Sequence, residues 1–112
     1  MTTIAYPKRE RFFALKFCRT MTKVCLANSL GPEAFTLLSV IVCQEDASGY
    51  RRPVTFWNGQ LFPLVGLGSE SALRRLRIKV IEAGWLQCIP GVKGRPPAYF
   101  VTIPDVAAGL DD

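Results

Sequence analysis

From Arg11 to Ser29 the apolar residues Phe13, Phe17, Met21, Val24, Cys25 and Ala27 recur at near-helical spacing and predict a first helix. Gly31 and Pro32 stop it, and Pro32 with Glu33 then suits the first turn of a second helix. That helix runs from Pro32 to Gln44 or Glu45. It is apolar nearly all round (Phe35, Leu37, Leu38, Val40, Ile41, Val42, Cys43), the pattern of a central helix packed on several sides. The β-branched run Val40 to Val42 would also suit a strand, but the length and the Pro-Glu start favour helix.

Turn residues from Asp46 to Tyr50 lead into a short strand, Arg52 to Phe56, which Pro53 marks as an edge or a strand start. Asn58 suits the cap of a short helix over Gly59 to Val65. Pro63 falls inside that helix, where it removes a donor and is expected to kink it or turn it partly 3₁₀. Gly66 to Gly68 break the chain. Ser69 caps a longer helix, Glu70 to Ala83, and Gly84 ends it in a left-handed conformation. A strand from Trp85 to Ile89, a turn-rich connector from Pro90 to Pro97 and a strand from Ala98 to Ile103 complete a hairpin, which Pro104 stops.

The predicted class is α+β and mainly helical, with a three-stranded antiparallel sheet. Residues 1–10 read as a flexible arm, 11–104 as a single domain with an N-terminal helical extension, and 105–112 as an acidic tail. At 112 residues the chain suffices for one core, burying roughly 60–70% of its unfolded surface. No apolar run approaches the roughly 18 residues of a membrane span, and the N-terminus lacks the apolar stretch of a secretory signal. A soluble, cytoplasmic protein with no membrane partner is expected.

Charge sharpens the picture. The net charge is +5 and the pI about 9.3, which favours a polyanionic partner. The bases cluster at Lys8, Arg9, Arg11, Lys16, Arg19 and Lys23; at Arg51 and Arg52; at Arg74, Arg75, Arg77 and Lys79; and at Lys93 and Arg95. The acids gather elsewhere, at Glu45 and Asp46 and in the tail at Asp105, Asp111 and Asp112, the segregation expected of a one-sided electrostatic footprint.

Catalytic chemistry finds little support. The chain has no histidine, no phosphate-binding glycine loop and no evident acid pair, so an enzyme is not expected. Cys18, Cys25, Cys43 and Cys88 lack CxxC spacing and are expected to be free, buried thiols, with Cys18 and Cys25 on one helix face. No metal and no cofactor is expected.

The layout of an apolar helix, a strand leading to Asn58, the Gly68-Ser69 turn, Gly84-Trp85-Leu86 and a returning strand from Tyr99 resembles the winged helix-turn-helix superfamily. Over Pro32 to Pro104 it looks like the DNA-binding domains of bacterial and phage-type replication initiators and small regulators. The resemblance implies a recognition helix over about 69–83 and a basic wing over about 90–97. Stepping 100° per residue from Leu73 sets Leu76, Val80 and Gly84 inward and Ser71, Arg74, Arg75, Ile78 and Glu82 outward. Lys79 borders the outer side and Arg77 the core.

Double-stranded DNA is the implied partner. Ser71, Arg74 and Arg75 would read base edges, and the free N–H groups near Ser69 would hold a phosphate. Lys79, Lys93, Arg95, Arg51 and Arg52 would add contacts to the backbone, with entry into a minor groove the other option for Arg95. The plainer alternative is a solvated helix face and an ordinary charged loop. A winged helix used for protein assembly without DNA is the competing function. Phe12, Phe13 and Phe17 are expected to dock the first helix on the core, and they also allow a homodimer through it. Trp57 and Trp85 are expected to pack at element junctions, with a partly exposed anchor as the alternative for either.

Overall fold

The computed structural model describes residues 5–108. Its elements are α1 (Phe13–Lys23), α2 (Leu26–Leu30), α3 (Pro32–Ala47), β1 (Val54–Thr55), α4 (Asn58–Val65), α5 (Glu70–Glu82), β2 (Leu86–Ile89) and β3 (Ala98–Val101). A short 3₁₀ turn, Asp105–Ala107, follows. The class is α+β and mainly helical, as expected, and the sheet is antiparallel in the order β1-β3-β2.

α3 is the hub. It packs against α1, α2, α4, α5, the edge strand β1 and the central strand β3. Ala34, Leu37, Leu38, Ile41, Val42 and Glu45 along it are all buried. Its all-round apolar sequence follows from this position, since neighbours surround it.

The first helix is broken where one continuous helix was expected. Cys25 adopts a left-handed backbone, φ 54°, and separates α1 from α2. A continuous helix would carry Asn28 into the stripe defined by Phe17 and Met21. The kink buries Leu26 instead and leaves Asn28 in solvent. It also removes the shared face of Cys18 and Cys25. All four cysteines are free, but they are not buried as expected: Cys25 and Cys43 are exposed, and Cys18 and Cys88 half-buried. Cys25 stands at the kink, and Cys43 lies on the solvent side of α3.

Residues 5–10 were expected as part of a loose arm, and here they are tied down. The Glu45 carboxylate, fully buried, accepts from the Tyr6 hydroxyl at 2.6 Å, from Arg9 Nη2 at 2.7 Å and from the Val101 N–H at 2.9 Å. Arg9 Nη2 also donates to the Val101 carbonyl at 2.7 Å, and its guanidinium lies 4.0 Å from the Phe13 ring centre. The sheet explains the arrangement. β1 spans only two residues and ends opposite Tyr99, so Val101 has no strand partner on that side. The Arg9–Glu45 pair supplies the acceptor and donor that a longer β1 would have provided. Tyr6 packs edge-on to Phe100 at 5.6 Å, so β3 is covered on both faces, which its unbroken apolar sequence requires. Residues 1–4 of the expected arm lie outside the described residues, as do Asp111 and Asp112 of the expected tail. The start of that tail is anchored by buried Ala107.

Tyr50 performs a related task for α1. Gly49 and Tyr50 both take positive φ (78° and 56°), which folds the chain back after α3. The Tyr50 hydroxyl then accepts from the Ala14 N–H at 3.0 Å and donates to Asp46 at 2.9 Å. It thereby satisfies an otherwise orphaned donor in the first turn of α1.

Candidate nucleic-acid interface

α4, the turn after it and α5 form one rigid corner. Asn58, expected as the cap of α4, is its first residue, and Trp57 holds the cap position. The Trp57 N–H donates to the Gln60 side chain at 3.0 Å. The Asn58 amide oxygen is used differently: it accepts from Arg77 of α5 at 2.9 Å. Pro63 does not break α4, which stays α-helical to Val65. The carbonyl that Pro63 leaves unbonded belongs to Gly59, and both residues face solvent, so water can satisfy it. Gly66, φ 83°, ends α4, and the Leu67 N–H returns to the Phe62 carbonyl at 2.9 Å.

Ser69 caps α5 through its hydroxyl, which accepts from the Ala72 N–H at 3.1 Å. Leu73, Leu76 and Val80 form the buried stripe. Ser71, Arg74, Arg75, Ile78, Lys79 and Glu82 are exposed, as the 100° stepping predicts. Arg77 is the helix's inward base. Its Nη1 donates to Asn58 and, at 2.6 Å, to the hydroxyl of Tyr99 on the central strand. One side chain thus pins α5 to the start of α4 and to the sheet. Burial pushes the Tyr99 phenol up, and the neighbouring Arg77 charge pulls it down.

The loop between β2 and β3 is tighter than a connector. Val92 and Arg95 exchange both backbone hydrogen bonds, at 3.2 and 2.9 Å, around Lys93 and Gly94. Gly94 takes φ 82°, which a two-residue turn of this kind demands. Lys93 and Arg95 are therefore presented on a stiff, exposed tip. At Gly91 the two arms approach so closely that a Cβ would lie 2.9 Å from Arg95 and Pro97 backbone atoms.

Of the residues singled out from sequence, Ser69, Ser71, Arg74, Arg75, Lys93 and Arg95 fall on α5 and the tip, all exposed. Arg74 leans towards Glu70 at 3.6 Å, both largely solvated. Lys79 lies on the flank, where it and Glu33 converge beside Gly31. Arg51 and Arg52 do not join the tip. The antiparallel register pairs Val54 with Tyr99 and Thr55 with Ala98, so the chain before Val54, with Arg51 and Arg52, lies towards the Val101 end of β3, away from the tip. The N-terminal bases are also set apart, because α1 docks on α3 and α2. Arg9 is consumed by Glu45, and Lys16 pairs with Glu10 at 2.8 Å. The charge segregation is thus less one-sided than the linear sequence implies.

Trp57 takes the second of its two sequence readings, a partly exposed aromatic rather than a packing residue. Trp85 packs in the core against Phe17 as expected, but Trp57 is 48% exposed. It borders an open groove of about 640 Å³ between the starts of α4 and α5 and the tip. A large aromatic at a helix cap, next to a polar Asn, was the available signal. Among the described residues no helix is long and apolar enough to cross a membrane, and no cluster of metal-ligating side chains occurs. No family model, curated protein or solved structure matches this chain.

Proposed function

We propose that this chain is a winged helix-turn-helix that binds double-stranded DNA, as a small transcriptional regulator or replication-associated protein of the cytoplasm. α5 would be the recognition helix and the Val92–Arg95 tip the wing. The observation that carries the reading is the exposed row Ser71, Arg74 and Arg75 on the first turns of a serine-capped helix, with Lys93 and Arg95 on a stiff neighbouring tip. Ser71 and the two arginines would face base edges in the major groove, where an arginine can bridge O6 and N7 of guanine. Lys93 and Arg95 would contact the adjacent backbone. Ile78, 56% exposed on the same face, suits a thymine methyl group.

A binding role fits the available nucleophiles better than catalysis does. Burial pushes the Cys18 and Cys88 thiols up, and the chain has no histidine to activate the exposed Cys25 and Cys43. The decisive measurement is binding to random and selected duplexes across a salt series. Affinity should fall steeply with salt, and selected sequences should bind tighter. Absence of binding to any duplex at low salt refutes the proposal.

Protein assembly through α1 is the second reading. Phe12 and Leu15 favour it, because both are more than half exposed on α1. Sedimentation combined with duplex binding separates the two: an oligomer that binds no duplex supports assembly without DNA, whereas a dimer through α1 that still binds duplex supports the first reading.

A further inference from the structure

We infer that the groove beside Trp57 takes one unpaired nucleotide of a DNA strand whose duplex portion lies on α5. The inference rests on the duplex-binding reading and extends it to a site that α5 does not contain. One wall is Trp57 with the start of α4; the other is Pro90, Val92, Arg95 and Pro97. The floor is Arg77, fixed by its bonds to Asn58 and Tyr99. The backbone frame of the groove is thus held by Arg77 and by the Val92–Arg95 pairing before any ligand arrives, which limits the entropy lost on binding. A volume of about 640 Å³ falls within the range of about 300–1,000 Å³ that small-ligand sites occupy.

The chemistry selects the occupant. An exposed indole offers a stacking face, Val92 and the prolines offer apolar edges, and Arg95 offers a cation to a phosphate. The one acid at the rim, Glu70, leans towards Arg74. Inside a duplex a paired base has both faces covered by its neighbours in the stack, so away from the duplex ends only an unpaired base can present its face to Trp57. The groove also opens beside the first residue of α5, so a strand leaving a duplex on that helix would pass over it. The occupant is therefore a nucleotide of that strand, rather than a free one.

The chain's two tryptophans make the test direct, because Trp85 is buried and Trp57 is not. Tryptophan emission is followed while the intact protein is titrated with a five-nucleotide oligothymidylate and, separately, with thymidine monophosphate. Affinities for a blunt duplex and for the same duplex with a five-nucleotide overhang are measured for wild type, Trp57→Leu and Trp57→Phe. The expected result is quenching by the oligonucleotide and a preference for the overhang of about tenfold or more. Trp57→Leu should abolish that preference at unchanged blunt-duplex affinity, and Trp57→Phe should restore part of it.

Equal wild-type affinity for the two duplexes, without quenching, overturns this inference and leaves the duplex reading standing. Quenching by the oligonucleotide without blunt-duplex binding overturns the duplex reading and, with it, the placement of the strand's duplex portion on α5. Quenching by the mononucleotide as strong as by the oligonucleotide overturns the strand as occupant. A loss of blunt-duplex affinity in Trp57→Leu, with its thermal melt unchanged, overturns the separate role given to the groove.

Discussion

Arg9→Ala should destabilise the protein by about 3–5 kcal/mol, although the residue lies outside every helix and strand. The substitution removes two bonds to Glu45, at 2.7 and 3.2 Å, one to the Val101 carbonyl at 2.7 Å, and the packing on Phe13. The Glu45 carboxylate is left in a fully buried site with only Tyr6 and the Val101 N–H as partners. Breaking a buried pair from one side is costly because the remaining charge has lost its compensation. Against a total stability of about 5–15 kcal/mol for a domain, the loss is large, and it should lower the melting temperature by roughly 10–20 °C.

Replacing both partners with apolar residues, Arg9→Met with Glu45→Leu, should recover only part of the loss. The pair could be exchanged at little cost on its own. The Val101 N–H and C=O would then both be orphaned, at about 1–3 kcal/mol each. Urea unfolding followed by tryptophan emission, to which buried Trp85 contributes, measures both variants against wild type. A loss below about 1 kcal/mol in Arg9→Ala, or full recovery in the double variant, would refute the claim that this ion pair stands in for a strand.

Other consequences are simpler to check. Ser69→Ala removes the cap of α5 and should cost about 1 kcal/mol in the same unfolding assay. Gly91→Ala must push apart backbone atoms 2.9 Å from the new Cβ; amide exchange at Val92 and Arg95 should speed up and duplex affinity should drop. In selected duplexes, Arg74→Ala should relax preference at one position by about 1–3 kcal/mol, whereas Lys93→Ala should weaken all sequences alike and reduce the salt slope by about 0.9. The Tyr6 hydroxyl is pushed up to about 12, first by burial and then by its bond to Glu45. The folded protein therefore holds that proton more tightly than the unfolded chain, whose tyrosine titrates near 10. The Tyr6 contribution is intact below pH 10 and is lost as pH rises towards 12; Tyr6→Phe should show a shallower fall in stability across that window.

Local chemistry made much of the fold legible. Pro32, Ser69 and Gly84 act on their nearest neighbours, so the bounds of α3 and α5 follow from them within two residues. The outer face of α5 follows from the helical period alone, because Leu73, Leu76 and Val80 admit one inward orientation. The break at Cys25 was hidden because its cause is distant. Only the position of the core relative to α1 makes Asn28 unwelcome on the buried stripe and Leu26 welcome.

The sequence by itself thus determined the elements from α3 onwards, the class and the exposed bases of α5 and the tip, since capping, turn and periodicity are interactions over a few residues. Only the tertiary structure decided which charges remain available. Glu45 reads as a surface acid at the end of a helix and Arg9 as part of a basic arm, 36 positions earlier. They meet because β1 is short and leaves Val101 unpaired, a condition set by strand register. Register likewise carried Arg51 and Arg52 away from the tip and opened the groove that leaves Trp57 in solvent. Such facts depend on long-range pairing geometry, which no local pattern of residues encodes.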